Sequence, residues 1–237
     1  MKIEAVLFDL DGTLLPMDQE QFMRAYFDGL ADFLAPYGYD RKRLISSIWQ
    51  GSEAMIKNDG KRTNEAVFWD KFQECYGKDV RCDEPYFEAY YKKDFDKVSG
   101  VCGYNPHAKR AVADIRAMGL RVALATNPLF PSIATEKRVG WTGLSVSDFE
   151  LYTTYENSRF CKPNPFYYQE ILCKMNLKPE HTLMVGNDAF EDMVASELGM
   201  SVFLLTDCLI NRGNKDISIY PGGGFEELVD YVKSLSC

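Results

Sequence analysis

Val6-Leu7-Phe8-Asp9-Leu10-Asp11-Gly12-Thr13-Leu14 is a near-continuous apolar run that ends in two carboxylates separated by one residue, followed by a glycine. An apolar run of this length reads as a buried strand, here over residues 3 to 9, and its polar end as a strand delivering acids to a sheet edge. Side chains alternate along a strand, so Asp9 and Asp11 share a side while the extended geometry lasts, and the loop opened by Gly12 can re-aim the second acid. Paired carboxylates at a buried strand end repel each other. Two arrangements relieve this: a bound divalent cation, or a division of labour in which one acid attacks and the other shuttles protons. A strand closing in a solvated Asx turn is the plain alternative, and D-x-D-G by itself does not decide among the three.

The chain has 237 residues, 46% apolar and 14% aromatic, enough for one large core or one core with a smaller satellite. A net charge of −8 argues against non-specific binding to nucleic acid or to an anionic membrane, both of which need a basic surface. Met1-Lys2-Ile3-Glu4 leads straight into the first strand, and no apolar stretch approaches the roughly 18 residues of a bilayer span, so a cytoplasmic protein is expected. Seven cysteines form no C-x-x-C pair and read as free thiols. The two histidines, His107 and His181, lie far apart, which argues against a histidine-built zinc site and a Ser-His-Asp triad; no G-x-S-x-G or P-loop string is present.

After the first strand, the next stretch reads as helical. Helices are expected over 18–35, over 41–56, from Thr63 to Gly77, and from about Asp83 to Lys97. The stripe Tyr86, Phe87, Tyr90, Tyr91 and Phe95 reads as helix packing rather than a ligand box. From Gly103 the pattern alternates: helices over 106–118, 132–139, 165–175 and 190–198, and strands over 121–126, 151–155, 182–185 and 201–205. Gly222-Gly223-Gly224 reads as a turn. Such alternation implies an α/β fold, a doubly wound, mostly parallel Rossmann-like sheet whose ligands sit beyond the carboxyl ends of its strands.

On that architecture the polar strand ends converge. Val122-Ala123-Leu124-Ala125 ends in Thr126-Asn127-Pro128, bringing a hydroxyl and an amide to the edge that carries Asp9; a plain strand-end turn is the competing reading. Lys162, held in Cys161-Lys162-Pro163-Asn164-Pro165 before a helix start, can neutralise both an aspartate nucleophile and a transferring phosphoryl group, or lie exposed. Leu183-Met184-Val185 runs into Gly186-Asn187-Asp188-Ala189-Phe190-Glu191-Asp192, a second acidic strand end, although Asp192 could instead cap a helix. Two acidic strand ends in one parallel sheet make an oxygen-rich Mg²⁺ site the economical explanation.

In their order, D-L-D-G-T at 9–13, the strand-end Thr126, K-P-N-P from Lys162 and G-N-D-x-x-x-D from Gly186 resemble the four motifs of the haloacid dehalogenase-like phosphohydrolase superfamily. The resemblance spans essentially the whole chain and implies a core of residues 1–15 and 98–237 with a helical cap domain over 16–97, hinged near 14–18 and 97–103. It implies Asp9 as the nucleophile that becomes an aspartyl phosphate and Asp11 as general acid and base whose backbone carbonyl joins the metal shell. Thr126 and Lys162 then orient the phosphoryl group and steady the intermediate, with Asn127 beside them as a substrate contact. Asn187 stands where the family usually has an aspartate, which leaves the metal roles of Asn187, Asp188 and Asp192 to be divided, alongside Asp9 and Asp11.

Dehalogenases of the superfamily lack the acid at position 11 and need no metal, so Asp11 favours phosphoryl chemistry. The expected protein is therefore a Mg²⁺-dependent phosphatase for a small phosphorylated metabolite, working through an aspartyl phosphate as a monomer or homodimer. A phosphosugar mutase of the same superfamily and a non-catalytic phosphate-ligand binding module are the alternatives. Cap residues expected to contact substrate are Arg24, Arg41, Arg43, Lys57 and Lys61.

Overall fold

The computed structural model describes residues 2–77 and 80–236. Six parallel strands, β1 (Ala5–Phe8), β2 (Arg121–Leu124), β3 (Leu151–Tyr152), β4 (Thr182–Gly186), β5 (Ser201–Leu205) and β6 (Gly222–Gly223), form one sheet in the order β3-β2-β1-β4-β5-β6. The central strand β1 is buried on both faces, as its unbroken apolar run requires. Val6 and Phe8 enter a cluster with Ala111, Val112 and Ile115 of α5 (Pro106–Ala117) and with Leu228 and Val232 of α8 (Phe225–Ser236). Ala5 and Leu7 point the other way, into a cluster built on Tyr167, Tyr168 and Ile171 of α7 (Pro165–Met175). This two-residue alternation makes the fold a three-layer sandwich. Both α5 and α7 begin with an asparagine whose side chain accepts the first free backbone N–H, followed by a proline preset for the first turn.

Register aligns the strand ends. Phe8 lies opposite Leu124 on one side and Val185 on the other, so Asp9, Ala125 and Gly186 emerge at one level. The ladder continues one step further, with Asp9 N–H donating to the Val185 carbonyl and Ala125 N–H to the Phe8 carbonyl.

Between β1 and α5 the chain forms α1 (Gln19–Leu34), α2 (Arg41–Ile56), α3 (Asn64–Tyr76) and α4 (Glu84–Lys93). Asp18, Asp40 and Thr63 cap the first three, and Gly77, in the left-handed conformation, ends α3. These helices bury a cluster of their own that includes Phe22, Tyr26, Trp69, Phe72, Phe87 and Tyr90, so the aromatic stripe is packing, with Tyr86 left outside stacking on Tyr37. The two connections to the sheet run side by side: Met17 bridges Cys102, and Gly103 N–H donates to the Pro16 carbonyl over 2.7 Å. The start of α3 also rests on the sheet side, where Asn64 and Glu65 N–H groups donate to the Ser158 and Tyr155 carbonyls.

The strands expected over 121–126 and 151–155 stop at Leu124 and Tyr152, and three further segments differ from the sequence reading. The segment from Asp83 is helical only to Lys93, and Phe95–Val101 is 3₁₀. The expected helix over 190–198 is a 3₁₀ segment, Met193–Leu198, because the Asp188 carboxylate takes the N–H groups of Phe190 and Glu191 and holds the chain in a side-chain-built turn. Gly222 and Gly223 form an edge strand rather than a turn; a Cβ on Gly222 would stand 2.7 Å from the Leu204 carbonyl, so only glycine lets the chain lie against β5.

Candidate active site

Asp9 leaves the end of β1 into a cavity of about 1370 Å³ between the sheet edge and the helical segment. One carboxylate oxygen accepts from Lys162 Nζ at 2.8 Å and the other from the Thr13 hydroxyl at 2.9 Å. Lys162, 1% exposed, also donates to Asp192 Oδ1 at 2.6 Å. It therefore joins the first and fourth sequence motifs. The second oxygen of Asp192 accepts from Asp188 N–H, and the carboxylate lies so close to β4 that a Cβ on Gly186 would meet it at about 2.1 Å.

Asn187 is fully engaged. Its carbonyl accepts from Thr13 at 3.0 Å and its amide donates to the Cys208 carbonyl at 2.6 Å, while a Cβ on Gly12 (φ +85°) would strike that amide. Asn187 thus pins the loop after β1 to the loop after β5. Asp188 spends one oxygen on the Phe190 and Glu191 N–H groups and borders the cavity. Thr126 and Asn127 border it as well, where the sheet edge places them. The Thr126 carbonyl is fixed by Thr153 and Tyr167, and Asn127 ties the Lys162 backbone to Glu191.

The residue that sequence reasoning missed is Arg138 on α6 (Ser132–Trp141). Wholly buried, its guanidinium pairs with Asp11 Oδ2 and lies 4.4 Å from the centre of the Phe130 ring. Its Nε and Nη2 also contact the Ala134 carbonyl and the Thr135 hydroxyl at 3.4 Å. The available signal was its place on the stripe Ala134, Thr135, Arg138, Val139, where a charge on the buried face of a helix demands a partner. Thr13 was quoted without a role, yet its hydroxyl links Asp9 to Asn187. The five cap cations do not border the cavity among its described lining residues. Arg41 is held by Asp28 and Asp32, Lys57 by Glu53 and Lys61 by Asp59, Arg43 stacks on Tyr76, and Arg24 is exposed.

Four aspartates, 9, 11, 188 and 192, thus face two cations, Lys162 and Arg138. Among the described residues no three His, Cys, Asp or Glu are grouped so as to hold a metal ion between them. An open set of acids carrying surplus negative charge suits Mg²⁺, which keeps waters and takes ligands from its substrate. Burial pushes Asp11 above the ordinary carboxylate range, against the pull of Arg138, and raises Asp192 to about 7.

The sign of the pH effect follows. From about pH 4 to 7 folded Asp192 holds a proton that the unfolded chain has released, so stability falls as pH rises through this window. The EDTA-treated protein is expected to melt several degrees lower at pH 8 than at pH 6, and Asp192→Asn to remove most of that difference in differential scanning calorimetry. A flat profile in the unmodified chain would contradict the reading.

A parallel sheet of this order, with an aspartate nucleophile candidate, a buried lysine and a second acidic strand end at one edge, defines a class of hydrolase. The profile of the haloacid dehalogenase-like hydrolases matches residues 3–197, and the chain belongs to that family. It is 28% identical over 205 residues to a phosphoglycolate phosphatase of Yersinia pestis, covering 86% of this chain and 81% of that protein. To a glyceraldehyde 3-phosphate phosphatase of Methanocaldococcus jannaschii it is 30% identical over 132 residues, 55% of this chain and 57% of that one. Among solved structures, a 2-haloacid dehalogenase from Pseudomonas syringae pv. tomato superposes with a TM-score of 0.64 at 19% identity, and a HAD phosphatase from Thermococcus onnurineus with 0.60 at 20%, each match covering 98% of both chains. No helix among the described residues is long and apolar enough to cross a membrane.

Proposed function

We propose that this chain is a Mg²⁺-dependent phosphoric monoester hydrolase acting through an aspartyl phosphate on Asp9. The observation that carries the reading is Asp9 itself: a strand-end carboxylate, oriented through both oxygens by Lys162 and Thr13, opening into a cavity it shares with Asp11 and Asp188. Asp9 attacks phosphorus as the bond to the leaving oxygen breaks, and that oxygen takes its proton from Asp11. Water then attacks the phosphorus, Asp11 accepts the water's proton, and Asp9 is released. Lys162 offsets the charge that collects on Asp9 and the phosphoryl oxygens, and Thr126 and Asn127 form the wall on which those oxygens rest. Asp9, Asp11 and Asp188 would hold Mg²⁺, which supplies charge neutralisation at the phosphoryl group. The helical segment over 16–97 acts as the cap that limits water access. The phosphatase names of the Yersinia and Methanocaldococcus relatives support the reaction class.

The cavity sets the leaving group. Phe22, Phe27, Trp49 and Phe68 face it from the helical side, and Phe130 and Ile133 from the sheet side. Of the cations that border it, Lys92 is held by Glu88, Arg212 donates to Gln19 and Lys42 is exposed. A second anionic group on the substrate finds glutamates more often than cations here: Glu53, Glu65, Glu84, Glu156 and Glu191 all border the space. An apolar alcohol fits better. The expected result is a kcat/KM for 2-phenylethyl phosphate at least about tenfold above that for phosphoglycolate, since burying a phenyl group is worth about 1.5–3 kcal/mol. Mg²⁺-dependent turnover with the reverse preference would retain the hydrolase and discard this leaving-group assignment. Ligand-induced thermal stabilisation without turnover would favour a non-catalytic binder.

A further inference from the structure

Resting on the hydrolase reading, we infer that the leaving group is a long-chain apolar alcohol laid along an uncovered apolar stripe of α2. This helix carries two apolar stripes. Leu44, Ile48 and Met55 form the first and are buried, and between them Gly51 lies so close to α3 that a Cβ there would stand 2.7 Å from the Phe68 ring. Ile45, Trp49 and Ile56 form the second, one position further along at helical spacing, and border the cavity that holds Asp9. Trp49 is 52% exposed and Ile56 44%, so large apolar side chains stand bare in the space beside the candidate nucleophile. The Trp49 ring meets Phe27 of α1 at 5.4 Å between centres, which carries the apolar wall on to Phe22 and Met23.

The space is held between two bodies that are joined in two places. Met17 bridges Cys102 and Gly103 N–H donates to the Pro16 carbonyl where the chain crosses to and from the sheet. At the start of α3, the wholly buried Asn64 donates its amide to the Phe160 carbonyl and to the Cys161 thiol, both at 3.3 Å, and Trp69 Nε1 donates to the Tyr155 hydroxyl at 3.4 Å. The resulting volume of about 1370 Å³ exceeds the roughly 300–1,000 Å³ of ordinary small-molecule sites. The stripe from Ile45 to Ile56 runs about 16 Å, at 1.5 Å per helical residue. A two-carbon group on a phosphate at Asp9 leaves most of that stripe in water, whereas a long chain removes it from water, which is the favourable direction. The cavity is continuous from Asp9 to Ile56, so the chain esterified to the reacting phosphate is the occupant the stripe is placed to meet.

The n-alkyl phosphates from ethyl to octyl share one leaving-group chemistry, so differences in their kcat/KM report burial of the chain. With Mg²⁺ the wild-type chain is expected to gain at least about twofold for each added methylene up to octyl, complete burial being worth about fourfold. Trp49→Ala and Ile56→Gln replace side chains exposed enough for the fold to hold without them, and each should cost at least about fivefold more on octyl than on ethyl phosphate. Trp49→Phe should keep most of the octyl rate. A series that stays flat or falls beyond butyl, or that rises as steeply in Trp49→Ala and Ile56→Gln as in the wild type, would overturn the inference; turnover of p-nitrophenyl phosphate in the same preparation would leave the hydrolase standing. A flat series together with a dimer in sedimentation that Trp49→Ala separates would give the stripe to a second copy of this chain instead. A wild-type chain that turns over no ester, p-nitrophenyl phosphate included, would overturn the hydrolase reading and this inference with it.

Discussion

Asp9→Asn is expected to abolish phosphate release, by on the order of 10⁴-fold or more, while leaving the fold intact. On the proposed mechanism no other group can take the place of Asp9. It is the acid that both emerges from the central strand and is oriented through both oxygens, by Lys162 and Thr13. Asparagine keeps the shape and can still accept from either donor through its carbonyl, but its neutral amide is a poor nucleophile toward phosphorus. Lys162 retains Asp192 as a counter-ion in this variant, so the buried charge is not orphaned. Stopped assays with an alkyl and an aryl phosphate should both show the loss, because each ester needs Asp9 as the attacking group. Circular dichroism melts close to those of the wild type would attribute the loss to chemistry.

Lys162→Met should be the most damaging single substitution to stability. The lysine is 1% exposed and bridges two aspartates, and burial and those two charges compete, with the charges prevailing to hold its proton well above the ordinary lysine range. Methionine fills a similar volume but leaves Asp9 and Asp192 without the cation between them. Breaking a buried pair from one side costs about 3–5 kcal/mol. For a chain of this size that corresponds to a fall in melting temperature on the order of 10 °C. Low pH should recover part of it, since protonating the two acids removes their repulsion. Activity is expected to vanish at all pH values. A melting temperature unchanged at pH 8 would show that the lysine is not what balances these acids.

The strand ends were legible because each is a switch from apolar to polar residues, and parallel register brings such switches to one edge without further information. Asp9, Thr126 and Asp188 reach that edge for this reason, and the boundaries of the helices over 41–56 and 165–175 match because Asp40 and Asn164 cap them. What was not legible depended on partners distant in sequence. Arg138 and Asp11 are separated by 127 positions, and only packing of α6 under the sheet edge joins them. The two partners of the Asn187 amide, Thr13 and Cys208, lie on loops that only the fold brings beside it. Charge alone pointed to the cap cations, yet Arg41 is held by Asp28 and Asp32 of α1, Lys57 by Glu53 of its own helix and Lys61 by Asp59 of its own turn, all at the surface. Apolar residues wall the cleft instead, and from sequence they could not be told from core.

The proposed reaction begins with metal-assisted attack by Asp9, and the most direct measurement of it is the rate of p-nitrophenol release from p-nitrophenyl phosphate by the wild-type chain in Mg²⁺ and in EDTA, beside Asp9→Asn in Mg²⁺. Turnover in Mg²⁺ that falls to background in EDTA and in Asp9→Asn is the predicted result; turnover that persists in EDTA, or in Asp9→Asn, would contradict it.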